Sequence, residues 1–255
     1  MRILALDTST EYCSVALLVD EHCVERSERA GQRHSELLLP MIRAVLDDGG
    51  VAMHALDGCA VGIGPGSFTG LRIGCGVGQG LAFAAKLPVI GVCSLEAIAE
   101  TQRTRSGSRS VLAALDARMQ EVYVAAYKHD GNVWNTVLAP AVLPPDAVSL
   151  PQIDHKPSGL DEQVTANVAA ASTGHRQRWY AAGNGFAAYP VLLQRLAEHI
   201  ETSDPATLPS AAAIARLGAA SLSQGLGVDA RDLAPLYVRH RVALTTAERN
   251  AGARL

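Results

Sequence analysis

Ile3 to Leu6 is an unbroken apolar run, the pattern of a central strand covered on both faces. The polar turn Asp7-Thr8-Ser9-Thr10-Glu11 follows. Tyr12 to Val19 then reads as the returning strand and Cys23 to Ala30 as a third, more polar one. From His34 to Leu46 the apolar residues Leu38, Met41, Ile42, Val45 and Leu46 recur at helical spacing. Pro40 either kinks that helix or marks its first turn, and Gly49-Gly50 ends it. Cys59 to Ile63 is a second buried run. A strand at Val89–Val92 and a helix from Ser94 lead into Arg103–Arg109, whose Ser, Gly and Arg content predicts a linker.

Between these elements lies the densest signal in the chain, Val61 to Ala82. Gly62, Gly64, Pro65 and Gly66 turn the chain sharply after a strand. Ser67 or Thr69 can then cap a helix with its hydroxyl. Gly70, Gly74 and Gly78 fall on one face of that helix, Ala82 extends the row, and Gly76 and Gly80 add two more glycines. Each costs a helix interior roughly 0.5–1 kcal/mol relative to alanine, so a flat surface must approach closely in return. Packing on the chain's own sheet is the favoured reading; a partner's helix in the groove is the alternative. Arg72 and Gln79 interrupt the run and exclude a membrane span.

Beyond residue 109 the pattern repeats. Ala5-Leu6-Asp7, seven residues, Val15-Ala16 is matched by Ala114-Leu115-Asp116, seven residues, Val124-Ala125. Ala60-Val61-Gly62-Ile63-Gly64 is matched by Ala181-Ala182-Gly183-Asn184-Gly185. The second offset is longer, and the polar stretch Ile153–Gln177 accounts for the excess as an insertion. The expected fold is α/β: two similar lobes, each one copy of a duplicated βββαβα unit, meeting at paired aspartate hairpins, the actin/Hsp70/sugar-kinase (ASKHA) arrangement. Residues 1–103 form the first lobe and 110–205 the second, with the insertion near 153–177. Phe186–Ile200 reads as a helix of the second lobe. A C-terminal helix over 207–226, capped by Ser210 and stopped by Gly225, returns toward the first lobe, and 240–255 is a flexible tail.

Composition narrows the function. Hydrophobic residues make up 48% of 255 and charged residues 18%, an ordinary globular balance. A net charge of −3 argues against a protein that grips nucleic acid unaided. The N-terminal apolar stretch is too short for a signal peptide, and a cytoplasmic location is expected. The five cysteines, Cys13, Cys23, Cys59, Cys75 and Cys93, include no C-x-x-C pair and read as free buried thiols. The eight histidines show no ligand spacing, so no metal site is expected.

The run Gly64-Pro65-Gly66-Ser67-Phe68-Thr69-Gly70-Leu71-Arg72-Ile73-Gly74 closely resembles the bacterial TsaB (YeaZ) family. Weaker matches follow in family order: Leu6-Asp7-Thr8-Ser9, Arg33-His34-Ser35-Glu36 with Leu38-Leu39-Pro40, Ser94-Leu95-Glu96-Ala97, Asp116-Ala117-Arg118 with Glu121-Val122-Tyr123, and Pro235-Leu236-Tyr237-Val238-Arg239. The resemblance implies a non-catalytic, cofactor-free partner of TsaD. With TsaD and the ATPase TsaE, such proteins serve threonylcarbamoyl transfer to N6 of the adenosine beside the anticodon, in tRNAs reading codons that start with A. TsaD does the chemistry. The TsaB-like chain pairs with it, or with itself, through first-lobe helices, and meets tRNA only within the complex. His34, Leu38, Met41, Ile42, Val45, Phe68 and Arg72 are the expected partner-binding residues, and Gly64, Gly66, Gly70, Gly74 and Gly78 the structural loop and helix.

A vestigial cleft is expected at Asp7, Thr8, Ser9, Asp116, Arg118 and Glu121. Nucleotide-binding relatives place glycine beside the hairpin aspartates to cradle phosphate. Here Thr8-Ser9 and Ala117-Arg118 stand in that place, and Val92-Cys93-Ser94-Leu95-Glu96 lacks the H-x-x-x-H metal pair of TsaD-like proteins. Individual residues have plainer readings: Asp7 and Asp116 cap their turns or line the cleft, Arg118 and Glu121 pair with each other or nearby strands, and His34 caps its helix. Two rival functions draw on the same residues. A nucleotide-dependent kinase would use Asp7, Thr8 and Gly183-x-Gly185; a glycoprotease-like peptidase would cast Ser67, His34 and Asp116 as a triad.

Overall fold

In the computed structural model, residues 1–150 and 178–239 are described; the expectations for the insertion near 153–177 and for the tail 240–255 lie outside them. The first unit runs β1 (Arg2–Asp7), β2 (Tyr12–Val19), β3 (His22–Arg29), α1 (His34–Gly49), β4 (Gly58–Gly64), α2 (Phe68–Ala85), β5 (Val89–Cys93) and α3 (Ser94–Ser106). The second runs β6 (Ser110–Asp116), β7 (Val122–His129), β8 (Trp134–Leu143), β9 (Trp179–Ala182), α4 (Gly185–Ala188), α5 (Val191–Arg195), β10 (Ile200–Asp204) and α6 (Ala211–Ser223). One sheet has the order β3-β2-β1-β4-β5 and the other, read in the same sense, β8-β7-β6-β9-β10. In each, an antiparallel three-strand meander leads into two parallel strands. The topology is thus duplicated, and the two-lobed α/β fold is of the ASKHA type.

The apolar runs follow from two-sided burial. In β1, Leu4 and Leu6 pack beneath α1 and α2, while Ile3 and Ala5 pack beneath α6. In β6, Leu112 and Ala114 face Phe186 and Leu192, while Val111, Ala113 and Leu115 face α3. The units have therefore exchanged their last helices: α3 of the first covers the second sheet, and α6 of the second covers the first. The α6 N-terminus is held by side chains. Ser210 Oγ accepts from Ala213 N at 3.1 Å, Ser14 Oγ from Ala211 N at 3.2 Å and Glu25 Oε1 from Ala212 N at 2.9 Å. A carboxylate at that end also suits the helix dipole.

Four local expectations are corrected. The linker shortens to residues 107–109, because α3 continues to Ser106 and stops at Gly107 with φ +75°. Buried Glu100 accounts for the extra turn: it accepts two 2.8 Å bonds from Arg103 and a 3.0 Å bond from Trp134 Nε1. The helix expected over Phe186–Ile200 is two short pieces, broken at Tyr189-Pro190 where proline disfavours helix in the preceding residue, and Ile200 opens β10. Pro40 does not mark the first turn of α1, which opens at His34 and runs through it. Finally, equal spacing in the hairpins conceals unequal register: Asp7 lies opposite Ser14, but Asp116 lies opposite Val122. Between the paired residues the second connection is one residue shorter.

Candidate functional site

The turn after β1 points inward. Thr8 and Ser9 are buried, Thr8 Oγ1 donates to Gly70 O at 2.7 Å, and Ser9 Oγ donates to Asp7 Oδ2 at 2.9 Å. Asp7 is also buried, and its Oδ1 meets no hydrogen-bond donor. Burial raises its carboxyl from 3.8 to about 7, against the lowering effect of the Ser9 and Thr8 hydrogen bonds. Asp7 and Thr8 thus sit beneath the interlobe cleft, and Ser9 reaches its wall.

The glycines explain how α2 comes so close. Added to Gly70, a Cβ would lie 2.0 Å from Thr8 O; to Gly74, 2.4 Å from Thr8 Oγ1; to Gly78, 2.5 Å from Val61 Cγ2. The Gly70–Gly74–Gly78 row therefore faces the chain's own sheet and turn. Gly66 packs on Ser9 O, and Gly64 adopts φ +111° where the loop leaves β4. Ser67 is the cap, its Oγ accepting from Gly70 N at 3.3 Å. Gly76 and Gly80 are different, since a Cβ on either meets nothing within 4 Å.

Across a cleft of about 460 Å³ stands the β6–β7 turn. Arg118, Met119 and Gln120 all have φ between +54° and +61°. Such left-handed residues without glycine cost roughly 1–2 kcal/mol each, so the turn needs outside support. Asp116 supplies some: its Oδ1 accepts from Arg118 N at 2.8 Å and Tyr189 OH at 3.1 Å, while its own N–H donates to Asn184 Oδ1 at 2.9 Å. Arg118 pairs with Asp116 at 3.2 Å, and Glu121 pairs with Arg239. Of the two partners expected for Arg118, each other or a nearby strand, Arg118 takes the strand residue Asp116, and Glu121 takes Arg239; between Arg118 and Glu121 only the backbones meet, Glu121 N donating to Arg118 O at 3.0 Å.

The helix positions expected at a partner surface are redrawn. Leu38, Met41, Ile42 and Val45 are all buried in the first lobe's own core, and His34, also buried, borders the cleft, its Nε2 bonding the Thr10 carbonyl at 3.0 Å. Helical periodicity identifies an apolar stripe but not what covers it, and here the chain's own sheet does. An aspartate in place of Met41 should accordingly destabilise the isolated chain by about 3 kcal/mol or more, visible as a lowered Tm before any partner is added. The exposed side of α1 instead carries Leu39, 54% accessible, with Pro40 and Arg43. Phe68 and Arg72 are exposed but engaged: the guanidinium lies 3.9 Å above the Phe68 ring, and Arg72 Nε donates to Tyr237 OH at 3.0 Å.

The residues of the peptidase reading are committed elsewhere. Ser67 caps α2, His34 bonds Thr10, and Asp116 braces its turn, so no triad hydrogen bond joins them among the described residues. No cluster of three or more His, Cys, Asp or Glu that could hold a metal occurs among the described residues. The five cysteines are free; burial pushes the Cys13 and Cys75 thiols up to about 11 and Cys59 to about 12. Among the described residues no helix is long and apolar enough to cross a membrane. The contributions of Asn184, Tyr189, Tyr237 and Arg239 to the cleft were not legible in the sequence. Only the Pro-Leu-Tyr-Val-Arg motif marked the last two, without placing them.

Residues 26–246 match a family model described as TsaD: tRNA N6-adenosine threonylcarbamoyltransferase. The tRNA threonylcarbamoyladenosine biosynthesis protein TsaB of Escherichia coli (strain K12) is 36% identical over 244 residues, covering 95% of this chain and 96% of that protein. The Haemophilus influenzae TsaB is 34% identical over 250 residues, covering 95% of each. A solved structure, YeaZ from Pseudomonas aeruginosa, is 36% identical with a TM-score of 0.76 and covers 92% of this chain and 99% of that one. Its agreement extends over both lobes, and the TsaB relatives match at nearly full length. On these grounds the chain belongs to the TsaB (YeaZ) family.

Proposed function

We propose that this chain is the non-catalytic subunit that supports a TsaD-like transferase, together with a TsaE-type ATPase, in threonylcarbamoyl transfer to N6 of the adenosine beside the anticodon. The kinship with proteins named for tRNA threonylcarbamoyladenosine biosynthesis supports the pathway. The observation that favours a supporting role is Asp7. In a nucleotide-driven cleft this carboxylate would need to reach the ligand; here it is shut away behind its own turn, with Ser9 and the Thr8–Gly70 bond in front of it. The protein acts in the cytoplasm, needs no cofactor of its own and contacts tRNA within the assembly. Purified alone, it should neither hydrolyse ATP nor modify tRNA; with TsaD and TsaE it should restore modification of unmodified tRNA. Turnover by the isolated chain, abolished in Asp7→Asn, would overturn this reading.

The pairing surface is the outer side of α1 and α2. Gly76 and Gly80 have no packing reason to be glycine, yet each costs the helix about 1 kcal/mol relative to alanine. A partner helix approaching closely at that face gives them one. Leu39 and Phe83, the latter 68% accessible, supply apolar area around them, with half-buried Ile73 and Val77 between. Phe68 and Arg72 lie at the edge. A second copy of this chain can use the same face when TsaD is absent. Gly76→Leu should leave the isolated chain folded and eliminate co-elution with TsaD, and Leu39→Asp should do the same. Normal pairing by both variants, measured by light scattering, would place the interface elsewhere.

A further inference from the structure

The segment from Leu233 to Arg239 leaves the core of one lobe and ends on the other. Leu233 is buried in the first core, and its carbonyl accepts from Gln79 Nε2 at 2.8 Å. Leu236 N donates to Ile63 O at 2.8 Å, extending the end of β4. Tyr237 packs against Phe68, the ring centroids 5.7 Å apart and the planes tilted by 35°. Arg239 then crosses to the second lobe: Nη2 donates to Ala117 O at 3.0 Å and to Glu121 Oε2, and Nη1 lies 3.4 Å from Met119 Sδ. Its guanidinium also lies 5.9 Å from the Tyr123 ring centroid. Only 12% of the Arg239 side chain is accessible.

We infer that this segment is a built-in latch, with Arg239 as the bolt that holds the two lobes at one separation across the cleft. In a hinged two-lobed protein, closure ordinarily depends on a ligand that touches both walls. Here a tethered guanidinium bridges them, always present at the high effective concentration of an intramolecular group. Its attachment point fits the task. Ala117 and Glu121 flank the three left-handed residues of the β6–β7 turn, so the bolt both joins the lobes and braces the turn. The cleft is thereby held without nucleotide.

The test uses the full chain without TsaD, so its outcome is independent of the pairing proposal. Amide exchange read by mass spectrometry should accelerate about tenfold or more over Ala117–Tyr123 in Arg239→Ala, with exchange in β1 unchanged. Small-angle scattering should show a larger radius of gyration. Glu121→Gln, which keeps the turn's backbone bonds, should show a smaller change in the same direction. Arg239→Lys, whose ammonium can donate to both Ala117 O and Glu121 but lacks the second nitrogen that meets Met119 Sδ, should show a smaller acceleration than Arg239→Ala. Wild-type exchange in the turn and an unchanged radius in Arg239→Ala would overturn the latch. So would acceleration spread evenly over both sheets, which would show general destabilisation instead.

Discussion

Alanine at Gly70 is expected to cripple the first lobe, although it adds a single methyl group. That methyl would stand 2.0 Å from the Thr8 carbonyl oxygen, and a backbone atom in a two-sided β turn cannot step aside as a side chain can. The same displacement would break the 2.7 Å Thr8–Gly70 bond and expose the turn that covers Asp7. Overpacking of this kind costs about 3 kcal/mol or more, which in a chain of this length lowers the Tm by roughly 10 °C. Gly74→Leu should be comparably damaging, since its first carbon already lies 2.4 Å from Thr8 Oγ1. The control is Gly76→Ala, where a Cβ meets nothing and helix propensity should add about 1 kcal/mol to stability. Melting curves followed by circular dichroism separate the three. A Gly70→Ala protein that melts like the wild type would mean that α2 can retreat from the β1 turn.

Asp7 carries the second large effect, and its sign is opposite to that of a salt-bridged carboxylate. Its folded value, about 7, lies above the ordinary 3.8, because burial penalises the ionised form and no cation compensates. The native state therefore holds the proton more tightly than the unfolded chain. Stability is full below about pH 4, falls as pH rises toward 7, and levels off above it. The gap corresponds to roughly 4 kcal/mol at most. Asp7→Asn keeps an oxygen for the Ser9 hydroxyl and removes the charge. Its Tm at pH 8 should exceed the wild type's, and the difference should shrink toward pH 5. A variant that melts lower than the wild type at pH 8 would show that the carboxylate has a compensating partner after all.

Both effects arise where the old hairpin geometry survives with different contents. The Asp7 position retains a carboxylate at the end of a buried strand, but the following side chains turn inward. Opposite it, Asp116 serves its own turn, and Arg239 reaches the second wall at Ala117 O. These contacts are consistent with the proposed supporting role.

The sequence by itself determined the local elements and the duplication. Unbroken apolar runs marked β1 and β4, because a strand covered on both faces must be apolar at every position, and the repeat of Ala-Leu-Asp marked β6. A cap at Ser67 or Thr69, the glycine helix and the Ser210 cap of α6 were legible because each depends on residues a few positions apart; the structure chose Ser67. Local pattern could not say what covers a face. The stripe Leu38–Met41–Ile42–Val45 looks the same whether a partner or the chain's own sheet lies against it, and only the tertiary structure assigned it to the core. The two sets of glycines in α2 likewise share one helix, and only the position of Thr8 and Val61 separates Gly70, Gly74 and Gly78 from Gly76 and Gly80. The exchange of α3 and α6 between sheets, and the bridge from Arg239 to Glu121 across 118 positions of chain, were decided by long-range packing. Such contacts leave no period in the sequence, because their partners are set by how the lobes meet.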